Sequence, residues 1–124
     1  MIEKTIKIDD REVTFRSSAT IPRIYRLKFG RDIFKDIQRL EQSYKGRNDG
    51  SKELEIEDLE IFENVAYIMA LHADASIPKT IEEWLDQFDM FSIYEVLPEI
   101  LELWRTNLIT DVKAKKNFAA LTAN

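Results

Sequence analysis

The 124-residue chain contains no cysteine. Disulfides, thiol nucleophiles and thiolate metal sites are therefore excluded, and the composition fits a reducing compartment. Three glycines and three prolines are too few for a turn-rich sandwich or barrel. There is one histidine, His72, so no pair of histidines can stand at metal-ligand spacing. No apolar run approaches the roughly 20 residues that span a bilayer. The opening, MIEKTIKIDDREV, is charged throughout and lacks an apolar stretch of signal-peptide length. Gly-rich nucleotide-binding loops, a nucleophile elbow and kinase signatures are all missing. The expectation is a soluble intracellular protein that is not an enzyme and carries no cofactor or metal.

What is present is an apolar content of 44%, enough for a packed core. Charge is unevenly spread. From Arg16 to Arg47 there are nine bases and three acids, a net +6, whereas Asn48 to Trp104 holds 15 acids and two bases, a net −13. Two solvated faces on one globule would explain this. The alternative is a basic face, built on Arg23, Arg26, Arg31, Lys35 and Arg39, that attracts the acidic face of a second copy. Phosphate tracking by the same bases would need a polar, base-reading second helix. That helix instead carries Ile33, Phe34, Ile37 and Leu40, and the acidic remainder repels a duplex, so nucleic-acid binding is not expected.

Periodicity predicts a mainly α fold: a small helical domain of about five helices with an N-terminal β-hairpin. EKTIKI alternates and VTF resumes a β-rich run after DDRE, so Glu3–Ile8 and Glu12–Arg16 read as the hairpin. IPRIYRLKF places Ile21, Ile24, Tyr25 and Lys28 on one stripe, with Leu27 beside it, Thr20 or Ser18 as cap and Gly30 as terminator. In the next helix Ile33, Phe34, Ile37, Leu40 and Tyr44 form the apolar face, with Arg31, Asp32, Lys35, Asp36 and Arg39 on the other. Asp58 opens a helix apolar over more than half its circumference, which should be central. Thr80 and Glu83 make a capping-box pattern before Ile81, Trp84, Leu85 and Phe88. Ser92 caps a last helix through Leu108, which Pro98 should kink or restart. Residues 1–108 thus form one domain, and 109–124 lose their period and read as a flexible tail.

His72 has no neighbours that complete a nucleophile–base–orienter set, so it reads as a packed or surface residue. The acid pairs Glu82–Glu83 and Asp86–Asp89 read as the solvated face of a helix rather than a glycosidase pair. Trp84 and Trp104 at helical spacing read as core. Phe88, Met90, Phe91 and Tyr94, however, crowd a break between two helices. Aromatics and Met are enriched where proteins hold other proteins, so these four are the candidate contact residues for an apolar helix.

The order of these segments resembles the tail assembly chaperones of long-tailed phages and prophages of Gram-positive bacteria. The resemblance runs over about residues 3–108 and rests on FGRDIF (Phe29–Phe34), ENVAYIMALHAD, EEWLDQFD (Glu82–Asp89) and LPEILELW (Leu97–Trp104). It implies a mostly helical, non-enzymatic protein of the host cytoplasm, absent from the mature virion. Such a protein keeps the tape measure protein soluble and helps tail tube protein gather around it. A homo-oligomer is plausible, and relatives often have a frameshifted longer form. Lys115-Lys116-Asn117 would suit a slippery codon run. No catalytic residue carries over, and neither nucleic acid nor membrane is implied as a partner. The alternative is a structural or connector protein of the tail, retained in the virion.

Overall fold

The computed structural model describes residues 2–48, 55–90 and 92–105. The chain begins with the antiparallel strands β1 (Ile2–Ile8) and β2 (Arg11–Ser17), paired from Ile8↔Arg11 to Ile2↔Ser17. Each strand is slightly longer than the alternation predicted. Two residues, Asp9 and Asp10, make the turn, and Asp9 takes a left-handed φ of 55°. Aspartate tolerates that region better than most side chains, because its short carboxylate can bond locally. Ile6, Ile8 and Phe15 turn inward and are buried. On the outer side Thr5 and Thr14 stand opposite each other, with their hydroxyls 2.8 Å apart.

Helix α1 (Ile21–Phe29) has Pro22 in its first turn, where a missing N–H costs nothing. Thr20 is its N-cap by position but makes no side-chain cap bond; instead Ser18 Oγ accepts from Thr20 N–H at 3.3 Å. Gly30 ends the helix as predicted, in a left-handed conformation with φ 66°, its N–H donating to Arg26 O at 2.8 Å. Ile21 and Tyr25 are buried, whereas Leu27 is 71% exposed.

Helix α2 (Ile33–Asn48) buries Ile33, Ile37 and Leu40 as its period requires. Two residues depart from the predicted faces. Phe34 is half exposed, its ring edge-on to Trp104 at 5.2 Å, and Asp36 is buried. The reason is rotation. The helix turns the Asp36 side toward α1, where Tyr25 on α1 and Arg31 in the connection donate to the carboxylate, and so carries Phe34 to the rim.

Helix α3 (Ile56–Ala73) is the central element, packed by β2, α1, α2 and α4. It begins two residues before Asp58. Asp58 lies in its first turn as the capping residue that accepts Glu55 N–H at 3.0 Å. Helix α4 (Ile81–Leu85) is a short helix, and Thr80 Oγ1 accepts Glu83 N–H at 3.2 Å, the Thr80 half of the capping-box pattern predicted there. Trp84 anchors α4 in the core between the rings of Tyr67 and Phe88, 5.6 and 5.2 Å away.

A 3-10 turn, Ser92–Val96, leads directly into helix α5, described over 97–105. Pro98 therefore sits in the first turn of a restarted helix and does not bend a continuous one. Ser92 begins the 3-10 turn and does not cap a long helix; its hydroxyl donates to Asp9 Oδ1 at 2.5 Å. Asp9 Oδ2 also accepts Asp89 N–H at 3.0 Å, so the hairpin turn latches the corner between α4 and the 3-10 turn. Ile93, Val96, Leu97, Ile100, Leu101 and Trp104 complete the core. Leu108 and the expected tail 109–124, with Lys115 to Asn117, lie outside the described residues.

Candidate client groove

One helical spacing places Ile56, Leu59, Glu60, Glu63 and Asn64 on a single face of α3, opposite the buried Ile61, Phe62, Val65 and Met69. That outer face, the first turn of α4 and the 3-10 turn enclose an open groove of about 490 Å³. Its apolar lining is Ile56, Leu59, Ile81 and the Tyr94 ring, and Glu60, Glu63 and Glu82 stand among them. Ile56 is 85% exposed, an unusual position for a β-branched aliphatic residue. The groove keeps its shape because its walls are tied to the core. Trp84 holds α4, and the Tyr94 ring leans on Phe62 at 6.0 Å while its hydroxyl donates to Glu63 Oε1 at 2.6 Å. Burial and that bond to an acceptor carboxylate push the Tyr94 phenol up to about 12, so it stays a donor at neutral pH.

The four predicted contact residues do not share one place. Tyr94 lines the groove. Phe88 is half-buried and turned onto Trp84. Met90 is 79% exposed at the tip of the corner, outside the groove lining. Phe91 lies outside the described residues. Sequence reasoning missed Ile56, Leu59 and Ile81 as surface. A signal existed: the acids at 60 and 63 interrupt the apolar circumference of α3 on the same face as Ile56 and Leu59.

The five basic residues predicted to form one face, on α1, on α2 and in the connection between them, also divide. Arg23, Arg26 and Lys35 are exposed and hold no ion pair among the described residues. Arg31 grips Asp36 with two bonds, Nε–Oδ2 at 2.8 Å and Nη2–Oδ1 at 2.9 Å, and the Tyr25 hydroxyl adds a third at 2.6 Å. Burial raises the Asp36 carboxyl, but the bonds from Arg31 and Tyr25 outweigh it and hold the group below its ordinary range. Arg39 binds Asp58 at 2.7 Å and reaches Glu57 and Glu55 at 3.1 and 3.2 Å. The Asp58 carboxyl is likewise raised by burial and lowered further by Arg39 and Glu55 N–H.

His72 is half-buried at the other end of α3, its Nε2 2.9 Å from Ser18 Oγ, and burial followed by the charge of Arg16 depresses its pKa. No group of three or more acidic or histidine side chains among the described residues is placed to hold a metal ion. No helix among the described residues is long and apolar enough to cross a membrane. Comparison with known protein families, with curated proteins and with solved structures found no match.

Proposed function

We propose that the chain is a phage tail assembly chaperone, which binds the tape measure protein, keeps it soluble and promotes assembly of the tail tube. The reading rests on the segment pattern from the hairpin to LPEILELW. The single observation that supports it in the fold is the groove on α3. An apolar floor beside an acidic rim, held open by Trp84 and Tyr94, suits an amphipathic helix of a client and offers nothing to a reacting group. A long apolar helix left bare in the cytoplasm aggregates, and covering part of it requires a surface of this chemistry.

Coexpression tests the reading. The tape measure protein should be recovered in the soluble fraction only when this chain is present; recovery that is the same with and without it ends the proposal. Stoichiometric amounts of this chain in purified virions would replace it with a structural or connector role. Association between copies is part of the same proposal, with Arg23, Arg26 and Lys35 of one copy facing acids of the next. Native mass spectrometry across salt should show oligomers that dissociate as salt rises, and a monomer throughout would remove that element. A longer frameshifted form requires a slippery codon run at Lys115-Lys116-Asn117, which the gene sequence decides.

A further inference from the structure

The seven-residue strand β1 has a strand partner on one side only among the described residues. The two-residue turn makes Ile8↔Arg11 a hydrogen-bonded pair, and alternation makes Ile6↔Val13 and Lys4↔Phe15 the next two. The N–H and C=O groups of Glu3, Thr5 and Lys7 therefore point away from β2. Among the described residues no backbone group bonds to them. All three residues are exposed. On β2, by contrast, Thr14 is half-buried and shares a depression with Asp74, Ser76, Ile77 and Pro78 of the α3–α4 connection. The open edge is that of β1. An edge of this length, with neither proline nor bulge, is a template for another strand.

The sequence of β1 is its own complement. When IEKTIKI is laid antiparallel to a second copy about Thr5, Glu3 falls opposite Lys7 of that copy, Thr5 opposite Thr5, and Lys7 opposite Glu3. These are the residues with free backbone groups, so each pair can exchange N–H···O bonds. The outer face then carries rows that cross both hairpins. One row reads Arg16 and Glu3, then Lys7 and Glu12 of the second copy, alternating in sign. Glu3 and Arg16 already stand 3.7 Å apart, and Lys7 is already opposite Glu12. The middle row is threonine throughout and extends the Thr5–Thr14 contact. On the inner face Ile2 meets Ile8 of the second copy, and the stem of Lys4 meets Ile6. The Lys4 ammonium stays with Glu99 and Glu102 of α5, 3.9 and 3.7 Å away. Other registers lack this match. Sliding by two residues puts Glu3 opposite Asp9 or Thr5, and an in-register parallel pair sets Glu3 beside Glu3 and Lys7 beside Lys7. Like charges placed opposite each other are destabilising. We infer that two copies pair through β1 into one antiparallel sheet, with a two-fold axis at Thr5. This surface is distinct from the basic face of α1 and α2, and the pairing does not rest on the chaperone reading.

The chain has no cysteine, so single substitutions report the pairing. Opposed Cα atoms in such a pair lie about 5.5 Å apart, within the span of a disulfide. In a glutathione redox buffer the full-length T5C chain should form a disulfide dimer, and T14C, on the same face, should not. Neither E3C nor K7C should cross-link with itself, yet a mixture of the two should yield the mixed dimer. Sedimentation reads the same pairing without cysteine. K7E should weaken the dimer about tenfold, and E3K added to K7E should restore it, because the two opposed charges then exchange signs. R23E with R26E should leave both readouts unchanged. Cross-linking of T5C no greater than that of T14C, E3C dimers outnumbering the mixed ones, or a wild-type monomer at every concentration would each overturn the inference. A dimer lost with R23E and R26E but kept with K7E belongs to the basic face and overturns it too. Soluble recovery of the tape measure protein in coexpression reads the chaperone proposal by itself, so either can fail alone.

Discussion

The seams that α2 makes with α1 and α3, and the groove between α3 and α4, treat charge in opposite ways. In the seams two carboxylates are buried and met by guanidiniums: Asp36, on the α1 side of α2, by Arg31, and Asp58 of α3 by Arg39 of α2. In the groove Glu60 and Glu82 stand exposed, Glu63 accepts the Tyr94 hydroxyl, and no guanidinium is among the lining residues. A buried charge must be paired, because the interior cannot solvate it. An exposed one can wait for a partner, because water meets its cost meanwhile. The long acidic stretch of the sequence is therefore two features: acids such as Asp58 that fix how helices pack, and exposed acids such as Glu60 and Glu82 that water solvates.

The largest effect should come from the residue that serves both the core and the groove. Trp84→Ala removes a buried ring held between Tyr67 and Phe88 and should cost about 3–5 kcal/mol in urea unfolding. It should also loosen α4 and the Ile81 wall with it. A loss under about 1 kcal/mol would show that α4 is not anchored as described.

Next comes the seam. Asp36→Ala leaves the Tyr25 hydroxyl buried without its acceptor and Arg31 without its partner. Because Arg31 is nearly half exposed, water recovers part of the loss, and about 2–3 kcal/mol is expected. The same pairing sets the acid limit. Asp36 and Asp58 titrate below the usual 3.8 in the fold. Their contribution is complete above that value and is lost as pH falls through it toward the folded pKa. Urea midpoints should hold steady from neutrality to about pH 5 and then drop, and D36N should flatten the drop. A midpoint that falls mainly above pH 5 would point to other groups.

A sharper contrast lies within one turn of α3. Asp58→Ala removes both the ligand of Arg39 and the acceptor of Glu55 N–H, for about 2 kcal/mol. Glu60→Ala, two residues on, should stay within about 0.5 kcal/mol, yet should weaken binding of a basic peptide in the groove. Equal costs at the two positions would erase the distinction between seam and groove. The smallest change is Tyr94→Phe. It removes one bond to Glu63, should cost about 1 kcal/mol or less, and should leave the ring in place against Phe62.

Much of the fold was readable from spacing. Ile6 and Ile8 against Thr5 and Lys7, the stripe Ile33–Ile37–Leu40, and Gly30 as a terminator all stand where period and turn chemistry put them. The burial of both tryptophans was readable in the same way. Asp36 was not. Among Arg31, Asp32, Lys35 and Arg39 a carboxylate reads as solvated, and only the approach of Tyr25 from α1 makes its burial favourable. Phe34 was misplaced with it, since turning one side of α2 inward turns the other side outward. For the groove, the sequence pointed to Tyr94 through the crowding of aromatics at a helix break. Glu60 and Glu63 marked the outer face of α3 that Ile56 and Leu59 share, but for Ile81 a place on an amphipathic stripe carries no mark of whether a neighbour arrives to cover it.

The linear order of residues determined the local elements: which stretches alternate, which repeat every three to four positions, where Thr80 and Gly30 cap, and that no thiol chemistry exists. Those properties depend on a residue and its near neighbours along the chain. The tertiary structure decided which charges are locked and which are free, that Pro98 begins a helix rather than bending one, and that Asp9 in the hairpin turn holds the corner at Asp89 and Ser92. Each of those depends on groups up to 83 positions apart, and no local pattern records their meeting.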